Sequence, residues 1–127
     1  MKKIIELGDK YDISSNIYLE DWSNGMKNSV DYVFEFIQML SKTNVRRIML
    51  PDTLGILNPQ MTFSYISDLC AEFPNLHFDF HGHNDYDLSV ANTLEAIKAG
   101  CNGIHSTING MGERAGNTPL ASIIAAN

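Results

Sequence analysis

Two histidines separated by a single glycine carry the clearest chemistry in this chain. His81-Gly82-His83-Asn84-Asp85 closes the run Leu76-His77-Phe78-Asp79-Phe80. That run has the composition of a buried strand, placed at about 76–82. Strand side chains alternate between faces, so His81 and His83 project to the same side. Two imidazoles so placed can reach one divalent cation. A second polar stretch, Asn109-Gly110-Met111-Gly112-Glu113-Arg114-Ala115-Gly116-Asn117, lies downstream, and its glycines predict a tight turn with positive φ. Taken alone, a His-x-His pair is balanced against a polar strand end whose imidazoles are merely hydrogen-bonded. The downstream loop tips that balance toward a metal.

The elements that must position these groups alternate. Residues 1–12 read as a helix, and Asn16-Ile17-Tyr18-Leu19-Glu20-Asp21 as a short strand ending in acids. Val30, Val33, Phe34, Ile37 and Leu40 recur at helical spacing and predict an amphipathic helix over about 28–42. Arg47 to Thr53 is a second strand, with Pro51 toward its C-terminal end, because a proline in mid-strand forfeits a ladder bond. Asn58-Pro59 is an N-cap followed by proline at the first helical position. Ile66, Leu69, Cys70 and Phe73 form the buried stripe of that helix, which Pro74 stops. After the histidine strand, a helix over about 87–99 turns Val90, Leu94 and Ile97 inward and ends at Gly100. Gly103 to Ile108 is a fourth strand, and Thr118-Pro119 opens a last short helix to the chain end.

Strict alternation implies an α/β fold with a parallel sheet and right-handed crossovers. In such sheets ligands bind beyond the C-terminal strand ends. Glu20, Asp21, Asp52, Thr53, His81, His83 and the loop after Ile108 all fall at those ends. This coincidence weighs more than any single motif.

The bulk numbers narrow the function classes. A chain of 127 residues can bury one core, and 44% hydrophobic content is that of a globular protein. A net charge of −6 argues against nucleic acid as a partner, since neutralising phosphates needs a basic surface. Two cysteines, Cys70 and Cys101, lack metal-type spacing, and no stretch has the length of a signal peptide's apolar run or a membrane span. The expectation is a cytoplasmic protein with reduced thiols and no membrane partner.

The two long motifs, with Ala91-Asn92, Pro51-Asp52-Thr53-Leu54-Gly55 and Leu19-Glu20-Asp21, closely resemble the 2-isopropylmalate synthase family and its relatives homocitrate synthase and citramalate synthase. The resemblance spans nearly the whole chain. It implies a TIM (β/α)8 barrel, of which residues 1–127 match strands five to eight. A full barrel takes about 250 residues, so the expectation is a single (β/α)4 half-barrel domain. The family's first strand carries a catalytic arginine and a metal-ligating aspartate, and a later accessory region adds further groups. None has a counterpart here. Asp87 stands where many relatives have glycine.

The resemblance further implies a metal-dependent Claisen condensation of acetyl-CoA with a 2-oxo acid, in amino-acid and specifically leucine biosynthesis. Mg²⁺, Mn²⁺ or Zn²⁺ would be held by His81, His83 and the side-chain oxygen of Asn117. Glu20 would belong to the catalytic machinery, weighed against a solvated loop carboxylate. Thr53 would donate to the substrate carboxylate, weighed equally against a strand-end cap. His105, with Thr107 on the same strand face, would line the substrate pocket. Glu113 and Arg114 would form an ion pair holding the loop, while His77 and Cys101 are expected to be structural. Related lyases that cleave hydroxymethylglutaryl-CoA carry a cysteine in the last glycine-rich loop; residues 109–117 have none, which favours a synthase. The competing readings are a metal-dependent aldolase or lyase on the same barrel, and a non-catalytic half-barrel that self-associates. Two open parallel edges, and apolar inner-face residues drawn from Ile17 or Tyr18, Ile48 or Met49 and Phe78 or Phe80, predict a homodimer or higher oligomer.

Overall fold

The computed structural model describes residues 1–126. Helix α1 (Lys2–Lys10) leads into β1 (Ser15–Tyr18), followed by α2 (Trp22–Asn28) and α3 (Val30–Leu40). Then come β2 (Val45–Asp52), α4 (Pro59–Glu72), β3 (Phe78–Gly82), α5 (Ser89–Lys98), β4 (Gly103–His105) and α6 (Leu120–Ala126). A short 3-10 turn, Ile108–Gly110, sits before α6. The four strands pair in the order β1-β2-β3-β4, every pair parallel. This is the α/β alternation that the hydrophobic pattern predicts. None of the described helices is long and apolar enough to cross a membrane.

Register decides which side chains face which way. Ile17 stands beside Ile48, Ile48 beside Phe78, and Leu50 beside Phe80. All five belong to the core, packed with Ile37, Leu40, Ile66, Leu69 and Ala96 from the helices. Phe78 and Phe80 therefore both face the helices, as two residues of equal parity must. The other face holds Tyr18, Met49 and Asp79 in one row, then Pro51, His81 and His105 in the next. The expectation that a phenylalanine of β3 lies on this inner face is corrected: a carboxylate and an imidazole occupy it. The sheet also curls. Neighbouring strands lie about 4.8 Å apart, yet Tyr18 on β1 and His105 on β4, three strands away, touch through a 2.8 Å hydrogen bond.

Local signals explain most boundaries. Asn58 caps α4 by accepting the Met61 N–H at 2.9 Å, with Pro59 opening the helix. Pro51 is the second-last residue of β2, where β1 has already stopped pairing. The helix expected over 28–42 is α3, preceded across Ser29 by α2, which the sequence pattern does not reveal because Trp22 and Met26 make only one helically spaced apolar pair. Two expectations need correction. The strand over 103–108 ends at His105 and the chain turns at Ile108. In α5 the buried residues are Ser89, Asn92, Thr93 and Ala96, not the apolar trio Val90, Leu94 and Ile97, which are only half-buried. Asn92 and Thr93 tolerate burial because each has a partner: the Asn92 amide donates to the Leu57 carbonyl at 2.9 Å, and Thr93 shares a 2.9 Å hydroxyl bond with Thr118. The last residue, 127, lies outside the described residues.

Candidate metal and substrate site

At the C-terminal end of β3, the Nε2 atoms of His81 and His83 approach to 3.3 Å, with their rings perpendicular. Two nitrogens bound to one ion at about 2.1 Å each would stand about 3.0–3.4 Å apart. The imidazole pair thus has the separation that chelation needs. Burial, reinforced by neighbouring His83 and His105, pushes the His81 imidazole down to about 4, against a small opposing pull from Glu20. The ring is therefore neutral near pH 7 and keeps its lone pair.

Asn117 reaches this pair through the loop. It forms an isolated antiparallel bridge with His83, so the two side chains stand side by side. The Asn117 amide nitrogen donates to the Met111 carbonyl at 3.2 Å, which leaves its oxygen buried without a partner. A Cβ at position 112 would collide with the Asn117 amide, so glycine there is a steric requirement of the loop. Thr107 donates its hydroxyl to the same Met111 carbonyl at 2.7 Å, and Thr118 N–H bonds Gly82 O at 3.2 Å. The described residues contain no cluster of three histidine, cysteine or carboxylate ligands. The candidate donor set is two imidazole nitrogens 3.3 Å apart and the orphaned amide oxygen of Asn117, the residue bridged to His83. That set fits a divalent cation, whose remaining positions this chain leaves open.

The loop is clamped from outside. Arg114 donates to both oxygens of Asp85, at 2.7 and 2.8 Å, and to the Thr53 carbonyl at 2.8 Å. It thereby ties together the ends of β2 and β3 and the loop after β4. Hydrogen bonding from Arg114 holds the Asp85 carboxyl below its usual range. The expected Glu113–Arg114 pair is loose by comparison, at 3.9 Å with Glu113 82% exposed; Asp85 is the real partner. Asp52, fully buried, accepts the Ile56 and Leu57 N–H groups at 3.0 Å each, so it shapes the turn after β2. Neither role was predicted. An aspartate ahead of a glycine-containing turn was the available signal for the second.

The remaining candidates divide. Thr53 accepts the Asp21 N–H at 3.0 Å, so its own hydroxyl proton is free to donate. His105 lies on the inner face, its ring 5.6 Å from that of His81. Thr107 spends its proton on the loop. Glu20 is exposed at the rim of a groove of about 240 Å³ that Tyr18, Trp22, Tyr32 and Phe36 also line. Among the described residues it has no hydrogen-bond or ion-pair partner. His77 bonds Asp79 at 2.8 Å, and the Cys101 thiol, which burial raises to about 12, donates to the Phe78 carbonyl at 3.2 Å. Both have the structural surroundings expected of them.

The HMGL-like family model matches residues 1–127. The chain belongs to the HMGL-like family. It is 48% identical over 97 residues to a homocitrate synthase of Saccharolobus islandicus, covering 73% of this chain and 21% of that protein. A homocitrate synthase of Sulfurisphaera tokodaii is 43% identical over 103 residues, covering 81% of this chain and 22% of its own length. The chain thus spans about a fifth of the relatives it matches. Among solved structures, the Bacillus subtilis HMG-CoA lyase superposes with a TM-score of 0.86 at 20% identity, over 98% of this chain and 45% of that one. The carboxyl transferase domain of Rhizobium etli pyruvate carboxylase superposes with a TM-score of 0.79 at 21% identity, over 99% of this chain and 22% of that one. These superpositions show the fold: the four β/α units of this HMGL-like chain correspond to part of a larger barrel.

Proposed function

We propose that this chain supplies the C-terminal half of the catalytic barrel of an acetyl-CoA-dependent synthase, which condenses acetyl-CoA with a 2-oxo acid in the manner of 2-isopropylmalate synthase. The observation that supports the reading is the 3.3 Å approach of His81 Nε2 to His83 Nε2 at the C-terminal end of the sheet, with Asn117, whose side-chain oxygen is unpartnered, bridged to His83. Family membership and the homocitrate synthase relatives support it. A bound Mg²⁺, Mn²⁺ or Zn²⁺ would supply Lewis-acid polarisation of a keto group.

The chain's own residues do the rest. His81 and His83 offer two ring nitrogens and Asn117 an amide oxygen, none bearing a negative charge, so the ion would retain its charge. Thr53 can donate its hydroxyl proton to a carboxylate of the 2-oxo acid. Glu20 is the free carboxylate on this side and is placed to accept a proton or a hydrogen bond at the groove rim. His105 lines the floor, and Thr107 acts by fixing Met111 and hence the Asn117 loop.

Assembly belongs to the same proposal. β1 and β4 are open edges, and Ile4, Leu7, Leu120 and Ile124 are exposed on the terminal helices. Unpaired edges recruit another chain, and a second copy is the commonest cover. A dimer or higher oligomer is expected, in the cytoplasm; light scattering that finds a monomer at all concentrations would remove it.

The test of activity is thiol release from acetyl-CoA with a panel of 2-oxo acids, on this chain alone and joined to the preceding half of a barrel. The joined protein should turn over and the chain alone should be nearly inactive, because it lacks the arginine and aspartate expected on the barrel's first strand. Silence from both across the panel would refute the condensing reading.

A further inference from the structure

Asn117 can serve a cation with only one end of its side chain. The amide oxygen carries lone pairs, whereas the NH₂ group only donates. Which end faces the histidine strand is a matter of orientation, and the loop settles it at Met111. A carbonyl oxygen only accepts, so the Met111 carbonyl must be met by a donor. Asn117 Nδ2 meets it at 3.2 Å, which leaves the side-chain oxygen buried and unpartnered on the residue bridged to His83. Turning the amide over would set two oxygens against each other. Among the described residues, this carbonyl is the only hydrogen-bond partner that the Asn117 side chain has.

The Met111 carbonyl is itself held by a second donor. The Thr107 hydroxyl reaches it at 2.7 Å, the shorter of the two bonds. Thr107 is a firm anchor because its backbone is pinned on both sides of the residue. Its N–H bonds the Thr118 carbonyl at 3.0 Å, and its own carbonyl accepts from Leu120 N–H at 2.9 Å and Gly110 N–H at 3.2 Å. One fixed residue therefore reaches the amide through one shared acceptor.

The consequence is a choice among ions. Imidazole nitrogens suit Zn²⁺, whereas Mg²⁺ and Mn²⁺ favour oxygen donors. The orientation of a single amide decides whether the imidazole pair is joined by an oxygen. We infer that Thr107, acting through the Met111 carbonyl, keeps the Asn117 oxygen turned toward the imidazole pair and so raises the affinity of the site for Mg²⁺ and Mn²⁺ relative to Zn²⁺. The selection rests on the metal reading of the site proposed above; the orientation of the amide stands on the loop's hydrogen bonds alone. Thr107 is a positioning residue in this scheme and touches neither ion nor substrate.

Two kinds of measurement test it. In the metal-free chain, NMR should find a scalar coupling across the hydrogen bond from the Asn117 side-chain nitrogen to the Met111 carbonyl carbon. Its absence, in a spectrum that shows such couplings along the sheet, overturns the inference. Calorimetry with Mn²⁺ and Zn²⁺ tests the selection. Thr107→Val, which removes the hydroxyl, should weaken Mn²⁺ binding roughly tenfold and Zn²⁺ binding by less than about threefold. Thr107→Ser, which keeps the hydroxyl, should bind both ions as the wild type does. In an Asn117→Asp background both ends of the side chain are oxygen, and Thr107→Val should then change Mn²⁺ affinity by less than about twofold. An unchanged Mn²⁺ affinity in Thr107→Val, equal losses for the two ions, no rescue by serine, or the same Mn²⁺ loss in both backgrounds would each overturn the selection. A wild-type chain that binds neither ion overturns the metal reading and the selection with it, while the coupling still decides how the amide lies.

Discussion

At the ends of β2, β3 and β4, backbone and side chains are cross-braced: Arg114 to Asp85 and Thr53, Asn84 N–H to Gly116 O, Thr118 N–H to Gly82 O, and Thr118 to Thr93. At the end of β1 the ties are fewer. Asp21 N–H reaches Thr53, Tyr18 reaches His105, and Glu20 stands in solvent. The difference separates two kinds of work. The imidazole pair and the Asn117 oxygen, proposed to hold an ion, sit where three strand ends lock one another. Of the groups proposed to meet substrate, Thr53 shares that braced region and Glu20 stands at the open β1 edge. Preorganisation is concentrated where geometry is demanded.

If the braced region is a metal site, removing its nitrogens should have the largest effect. His81→Ala with His83→Ala should weaken Mn²⁺ or Zn²⁺ binding by at least about a hundredfold, read by calorimetry. Unchanged binding would mean that the bracing serves folding and not an ion.

The same region should reveal itself through pH. The His81 imidazole lies near 4 in the folded chain against 6.5 when free, so between those values the unfolded chain binds the extra proton. Stability must then fall as pH drops from 6.5 toward 4, by at most about 3 kcal/mol. Denaturant melts at several pH values would show this slope, and His81→Gln should flatten it. A wild-type profile that is level across that window would mean that His81 is solvated and charged.

The clamp can be opened without touching a ligand. Arg114→Ala releases Asp85 and the Thr53 carbonyl, and the Asn117 loop should loosen. Metal affinity should fall roughly tenfold, as when the outer supports of a site are lost, while Glu113→Ala should leave it unchanged. Equal effects from both variants would restore the Glu113–Arg114 pair as the brace.

Much of this architecture can be read from residue types, and the failures have a common cause. The His81/His83 pair, the Asn58 cap and the Gly100 stop depend on neighbours in sequence, and the chain spells them out. The Arg114–Asp85 pair, the polar burial of Asn92 and Thr93, and the Tyr18–His105 hydrogen bond depend on which strand ends the sheet's curl brings together. Parity could have placed Asp79 on the inner face once His81 was assigned there, since residues two apart share a face. Helix α2 carries no signal strong enough to stand alone; tertiary burial of Trp22 and Met26 holds it.

The smallest effect tests whether the braced region is tuned or merely tolerated. Asp87 has φ of +57°, the left-handed region, in the turn between the histidine strand and α5. An L-residue pays about 1–2 kcal/mol there, less for aspartate because its side chain bonds locally; here Asp87 accepts from the Asn84 amide at 3.2 Å. Glycine would relieve the backbone but lose that bond and add freedom to the unfolded chain, at about 0.5–1 kcal/mol. The two nearly cancel, so Asp87→Gly should change stability by less than about 0.5 kcal/mol, while Asp87→Ala, which keeps the strain and loses the bond, should destabilise by about 1 kcal/mol. Denaturant midpoints of the three proteins decide it. A glycine variant as unstable as the alanine variant would show that the Asn84–Asp87 bond, and not the backbone angle, sets the turn that carries Asp85 to Arg114.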